Sequence, residues 1–140
     1  MNANELRIGN YLNTPRADQS PFRIDVIEFA SKNNIKVGMN VHKLPHPFNE
    51  NQFIDAHPLT WELKELKPIE LTEEILLNCG FVKDEFDNWE NETRLGLYKP
   101  EEFDGYLSVW GESTVGECNY LHQLQNLYFA LTGQELEINL

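Results

Sequence analysis

Asn119 to Gly133 reads NYLHQLQNLYFALTG, and the spacing of its leucines and tyrosines predicts a helix over about 120–131 that carries no ionisable carboxylate or amine. In a chain with 24% charged residues such neutrality is informative. A surface helix keeps a charged stripe for water, so one that lacks it all round is expected to have protein against both faces. At about 100° per residue, Leu127, Tyr120, Leu131, Leu124, Tyr128 and Leu121 fall in one stripe, the expected core face. His122, Gln125, Asn126 and Phe129 lie opposite, spaced as neighbours on one surface. Two readings fit that surface. Either the protein's own sheet or N-terminal half covers it, or it is a face for a protein partner or a second copy, with Phe129 as aromatic anchor.

Upstream, Leu71 to Phe81 is punctuated at both ends. Thr72 is placed as N-cap, Glu73 and Glu74 put negative charge in the first turn, and Gly80 suits the left-handed position after the last turn. Leu71 and Leu76 form a hydrophobic staple, and Phe81 returns toward Leu76, so a helix over about 72–79 is expected. Residues 83–105 are acidic, with Asp84, Glu85, Asp87, Glu90, Glu92, Glu101, Glu102 and Asp104 against Lys83, Arg94 and Lys99. Within and after this block, strands are expected at about 93–98 and 106–110, a turn at 111–117, and a terminal strand at about 135–139, where Leu136 and Ile138 alternate with Glu135, Glu137 and Asn139.

The N-terminal half reads as short strands. Leu6 and Ile8, then Tyr11 and Leu12 beyond a Gly9-Asn10 kink, make the first, and residues 13–21 carry loop chemistry. Phe22, Ile24 and Val26 alternate, the phase shifts at Ile27 and Phe29, and Ile35, Val37, Met39 and Val41 alternate again, which predicts a hairpin over 22–42 with a bulge or a doubly buried strand. Residues 43–58 hold three prolines and little periodicity and are expected to be a loop. Leu59, Trp61 and Leu63 resume a strand. The expected fold is therefore α+β: a small twisted β-barrel-like (Src-homology-3-like) half, 1–67, followed by an α+β half, 68–140, with two helices packed on an antiparallel sheet.

Composition limits what such a protein does. Net charge of −12 with eleven scattered basic residues argues against direct nucleic-acid binding and against an anionic membrane surface, and favours a basic partner. No stretch approaches the roughly 18 to 20 apolar residues of a membrane span, and the first residues lack a leader pattern, so the expectation is a soluble cytoplasmic protein. Cys79 and Cys118 stand far apart, without metal or redox spacing, and are expected to be reduced, partly buried thiols.

The blocks LRIGNY near the start, PIELTEEILLNCGF in the middle and YLHQLQNLYFALTGQELEI at the end resemble a family of small uncharacterised bacterial proteins of prophages and mobile elements. The resemblance runs in order along most of the chain, residues 13–58 apart. It implies a phage or mobile-element accessory protein and brings no catalytic residues.

His42, His46 and His57 with Asp55 offer metal-ligating groups, but Pro45 and Pro47 forbid the helix that would align His42 with His46, so no metal site is expected. Cys118 and His122, four apart at a helix start, have the look of a thiol and its base without a third orienting group. With no phosphate loop, nucleophile elbow or zincin helix either, no catalytic residue and no cofactor is expected. The reading is a non-enzymatic protein-interaction accessory protein with a possible contact surface at His122, Gln125, Asn126 and Phe129. The alternatives are an acidic nucleic-acid-mimicking inhibitor of a host enzyme, built on residues 84–104, or an enzyme with its site between the two halves.

Overall fold

Alternating apolar residues and helix caps sort this chain into an α+β fold. The computed structural model describes residues 1–31, 34–40, 44–46, 48–54 and 58–140, in two compact units, Met1–Pro68 and Ile69–Leu140.

In the N-terminal unit a 3-10 turn (Ala3–Glu5) leads into β1 (Tyr11–Asn13), β2 (Pro21–Arg23), β3 (Val26–Ser31), β4 (Asn34–Met39), β5 (Leu44–His46), β6 (Asn49–Ile54) and β7 (Leu59–Glu62). These pair antiparallel as a β1–β2 ribbon, a β3–β4–β7 sheet and a β5–β6 ribbon. The phase shift at Ile27 resolves as a corner. Ile24 donates its N–H to the Asn10 carbonyl at 2.8 Å and Asp25 donates to Gly38 at 2.9 Å, so the chain leaves one ribbon and enters the next sheet. Two expectations change here. Residues 14–20 are the connection of a paired ribbon, and within the expected loop of 43–58 the stretches 44–46 and 49–54 are strands, β5 and β6 pairing across Leu44 and Ile54, while residues 43, 47 and 55–57 lie outside the described residues. Prolines hid this ribbon, because a two-stranded ladder consists of edges and tolerates a residue without an N–H.

Leu12, Phe22, Ile24, Val37 and Leu66 form the buried core of this unit, with Trp61 and Met39 packed at its margin and the Phe22 and Trp61 rings 5.0 Å apart. Strands β4 and β7 approach closely at Gly38, where a Cβ would overlap the Leu59 carbonyl. Backbone cannot retreat as a side-chain tip can, so this position requires glycine.

The C-terminal unit is organised by its helix ends. Helix α1 (Glu73–Asn78) starts where Thr72 Oγ1 accepts the Ile75 N–H at 3.2 Å. It stops where Gly80, at φ 80°, lets its own N–H and that of Phe81 close on the Leu77 and Leu76 carbonyls, each at 3.0 Å. Six residues do not hold a helix in water unaided; burial of Leu76 and Phe81 stabilises it. Strands β8 (Val82–Lys83), β9 (Trp89–Glu90), β10 (Leu95–Tyr98), β11 (Leu107–Trp110) and β12 (Ser113–Glu117) follow, and make an antiparallel sheet in the order β12-β11-β10-β9-β8. Trp89, Leu97 and Ser108 are cross-strand neighbours and all buried, and Ser108 Oγ donates to the Gly116 carbonyl at 2.8 Å beside a register shift.

Helix α2 (Leu121–Thr132) is stitched in at its start. Leu121 N–H, which has no partner within the helix, donates to the Ile69 carbonyl at 2.8 Å, and Leu71 N–H donates to the Asn119 carbonyl at 2.9 Å. Gln123 Oε1 accepts from the Asn119 and Tyr120 N–H groups at 3.0 and 3.2 Å. At the far end Gly133, at φ 73°, returns its N–H to Phe129 at 2.8 Å.

Two further expectations are corrected. Residues 111–117 are no simple turn, because β12 pairs with β11; Gly111 and Gly116 mask the strand in the sequence. The expected strand at 135–139 joins no ladder. Leu136 is buried, and Asn139 donates its N–H to the Asn78 carbonyl at 3.1 Å, so the terminal residues satisfy an open acceptor at the end of α1 rather than extend the sheet.

Candidate functional site

The sharpest local geometry lies between β8 and β9. Asp84 Oδ1 accepts the N–H groups of Phe86 at 2.8 Å and Asn88 at 2.9 Å, and Asn88 Nδ2 donates to Asp84 Oδ2 at 3.2 Å. These donors, the Asn88 backbone N–H first, hold the Asp84 carboxyl below its ordinary range. The turn they close puts Asp87 at φ 64° and folds its carboxylate back onto Lys83. Lys83 Nζ lies 2.8 Å from Glu73 Oε1, 3.1 Å from Asp87 Oδ1 and 5.7 Å from the centre of the Trp89 ring. The hydrogen bond to Glu73, and then that to Asp87, raises the Lys83 pKa above its usual value.

The connection between β10 and β11 supplies the opposite wall. Gly105 leaves room for the Asn119 side chain, which a Cβ would overlap, and Asn119 Oδ1 accepts the Tyr106 N–H at 3.0 Å. That arrangement sets Glu101, Glu102, Phe103 and Asp104 along an open groove of about 520 Å³, whose floor is Trp89 and Tyr106. Lys99 Nζ reaches Asp104 at 3.9 Å, a loose pair at the rim. The groove lining holds five carboxylates (Glu73, Asp87, Glu101, Glu102 and Asp104) and two ammoniums (Lys83 and Lys99), so it is acidic with an aromatic base.

General acid–base catalysis at neutral pH needs groups drawn toward pH 7. Here the shifts run the other way. Lys83 is held more firmly protonated, and Tyr106 is raised by burial first and by the neighbouring Glu73 second. At neutral pH Lys83 is therefore a cation and Tyr106 a neutral phenol.

The surface read from α2 is placed differently. His122 and Gln125 are 1% and 2% exposed, Asn126 is half-buried and Phe129 is 42% exposed. The four do not form one open face, because burial of α2 varies along its axis as well as around it. Its first turns, tied to residues 69–71, are enclosed, while Phe129 and Ala130 meet solvent. Of the predicted stripe, Leu121 and Leu124 are fully buried and Leu127, Tyr128 and Leu131 half-buried. The His122 ring stacks on Tyr120 at 5.8 Å.

His42, Asp55 and His57 lie outside the described residues, and His46 stands on β5. Among the described residues no group of three or more His, Cys, Asp or Glu gathers to hold a metal ion. Cys79 and Cys118 are free and buried, and burial pushes both thiols up to about 12, the opposite of an activated nucleophile. The acidic block divides. Asp87, Glu101, Glu102 and Asp104 line the groove with Glu73, Asp84 ties the turn, and Glu90 and Glu92 border a separate hollow beside Glu135 and Glu137. The sequence reading missed Lys83, Trp89 and Tyr106 as a group. An Asp84-x-x-x-Asn88 turn signature was the available signal, since it forces the flanking residues together.

No family model, curated protein or solved structure matches this chain. Among the described residues no helix is long and apolar enough to cross a membrane.

Proposed function

We propose that this chain is a non-enzymatic protein-interaction module, an accessory protein of a phage or mobile element, that docks a positively charged segment of a partner protein in the groove beside Lys83. The observation that carries the reading is the imbalance of that lining: five carboxylates over Trp89 and Tyr106, with one of its two lysines already bound by two of the five. The net charge of −12 adds long-range attraction for a basic partner and speeds encounter, an effect screened beyond about 8 Å at physiological salt. Aromatic rings under a charged rim also suit arginine and lysine, whose stems are apolar and whose heads are attracted to π faces.

The test is a fluorescence-anisotropy titration of a labelled short oligolysine peptide against the wild type and a Glu101→Gln/Glu102→Gln/Asp104→Asn variant at low and high salt. The reading expects saturable, salt-sensitive binding that the triple variant weakens about tenfold or more. Equal affinity for both proteins would remove the groove from the account.

A further inference from the structure

We infer that Lys83 is an internal stand-in for the partner's cation: Glu73, Asp87 and the Trp89 ring form a seat that accepts an incoming lysine or arginine side chain when Lys83 swings out. The inference rests on the docking reading of the groove and adds where the leading cation goes and what must leave first.

The seat shows its ligand chemistry because it already holds an ammonium. Two carboxylate oxygens at 2.8 and 3.1 Å and an indole face at 5.7 Å surround Lys83 Nζ, and they come from three places, α1, the β8–β9 turn and β9. Exit of Lys83 requires no backbone change. It sits on the edge strand β8, and its side chain is 35% exposed, so rotation about its own bonds carries the ammonium into water. The exchange is also chemically even, one cation replacing another on the same oxygens, and the Glu73 and Asp87 side chains, 64% and 85% exposed, are hydrated while it happens. The seat opens directly onto the carboxylates of Glu101, Glu102 and Asp104, where further basic side chains of an extended segment find partners. Asp104 is fully exposed and, among the described residues, pairs with Lys99 alone, at 3.9 Å, which leaves it accessible.

This gives Lys83 a sign opposite to that of an ordinary structural lysine. Removing it empties the seat, and a basic ligand then binds without first displacing a competitor. The experiment measures oligolysine affinity at low salt for the wild type, Lys83→Ala, Lys83→Gln, Lys83→Arg and Lys64→Ala, with an oligoglutamate peptide as the charge control. Lys64 pairs with Glu62 at 2.7 Å in the other unit and is not one of the residues that line the groove, so its removal changes net charge equally while every groove side chain is kept. The expected result is binding roughly three- to tenfold tighter for Lys83→Ala and Lys83→Gln, against less than about twofold for Lys64→Ala, with Lys83→Arg restored to wild-type behaviour. Lys83→Ala and Lys83→Gln binding no tighter than Lys64→Ala would overturn the inference while leaving the docking reading in place. Absence of oligolysine binding by all five proteins would overturn both.

Discussion

The polar side of the first turns of α2 and the groove beside Lys83 are both rich in hydrogen-bonding groups, yet one is interior and the other open. His122 and Gln125 are neutral and almost completely enclosed, whereas the groove is lined by charged residues that remain in contact with water. The difference follows from desolvation. A neutral amide enters a protein interior at a cost that hydrogen bonds offset, but an ionised carboxylate does so only when paired. A patch of Gln, Asn and His on a helix without charge therefore marks a covered face more readily than a docking face. The surface that stays open to water carries the charges.

The comparison breaks most visibly at the enclosed end of α2. Leu124 has no exposure, and Leu124→Asp is expected to lose more than about 4 kcal/mol, enough to abolish a cooperative melt followed by circular dichroism. A variant melting within a couple of degrees of wild type would show that the first turns of α2 are not interior. Gln125→Glu probes the polar side of the same turns. At 2% exposure an added carboxylate is expected to lower stability by about 2 to 4 kcal/mol in urea unfolding, and an unchanged midpoint would mean that this face is wetter than the structure has it.

The groove responds on a smaller scale and with a different pH signature. Asp84 has its pKa lowered in the folded state, chiefly by the Asn88 backbone N–H, so its stabilisation is present above the ordinary carboxyl value of 3.8 and is lost as pH falls through the lower folded value. Lys83 has its pKa raised, so its contribution is full below 10.5 and disappears only as pH rises through the higher folded value. Asp84→Asn is therefore expected to melt below wild type at pH 7 and alongside it once the solution is acidic enough to protonate Asp84. A difference that persists unchanged into strong acid would assign the effect to packing instead. Smallest of all, Glu101→Gln/Glu102→Gln is expected to leave stability within about 0.5 kcal/mol while it weakens oligolysine binding, which separates a binding surface from a structural one.

Parts of this architecture were legible in the sequence because the responsible chemistry is local. Thr72, Gly80 and Phe81 specify both ends of α1 through bonds spanning only a few residues, and Gly133 stops α2 in the same way. The neutrality of α2 pointed to enclosure along its whole length, which holds for Leu121, Leu124, His122 and Gln125 but not for Phe129 and Ala130, which are exposed. What the sequence did not show depends on partners far along the chain. The β5–β6 ribbon and β12 carry prolines and glycines that read as loop, and only a ladder neighbour makes them strands. The apolar alternation of the last residues promised a strand, yet the acceptor at hand was Asn78 at the end of α1. The candidate site was hidden for the same reason: Glu73, Lys83, Asp87 and Trp89 carry no pattern as a string and become a seat only when the Asp84 turn and α1 bring them together.

The most direct measurement is a two-dimensional NMR titration of the labelled protein with oligolysine, read at both regions at once. The account predicts shifts at the Trp89 indole, at the amides of residues 83–89 and 99–106, and at the Lys83 side chain, with the His122 and Gln125 amides unmoved. Shifts centred on α2, with the groove silent, would contradict it.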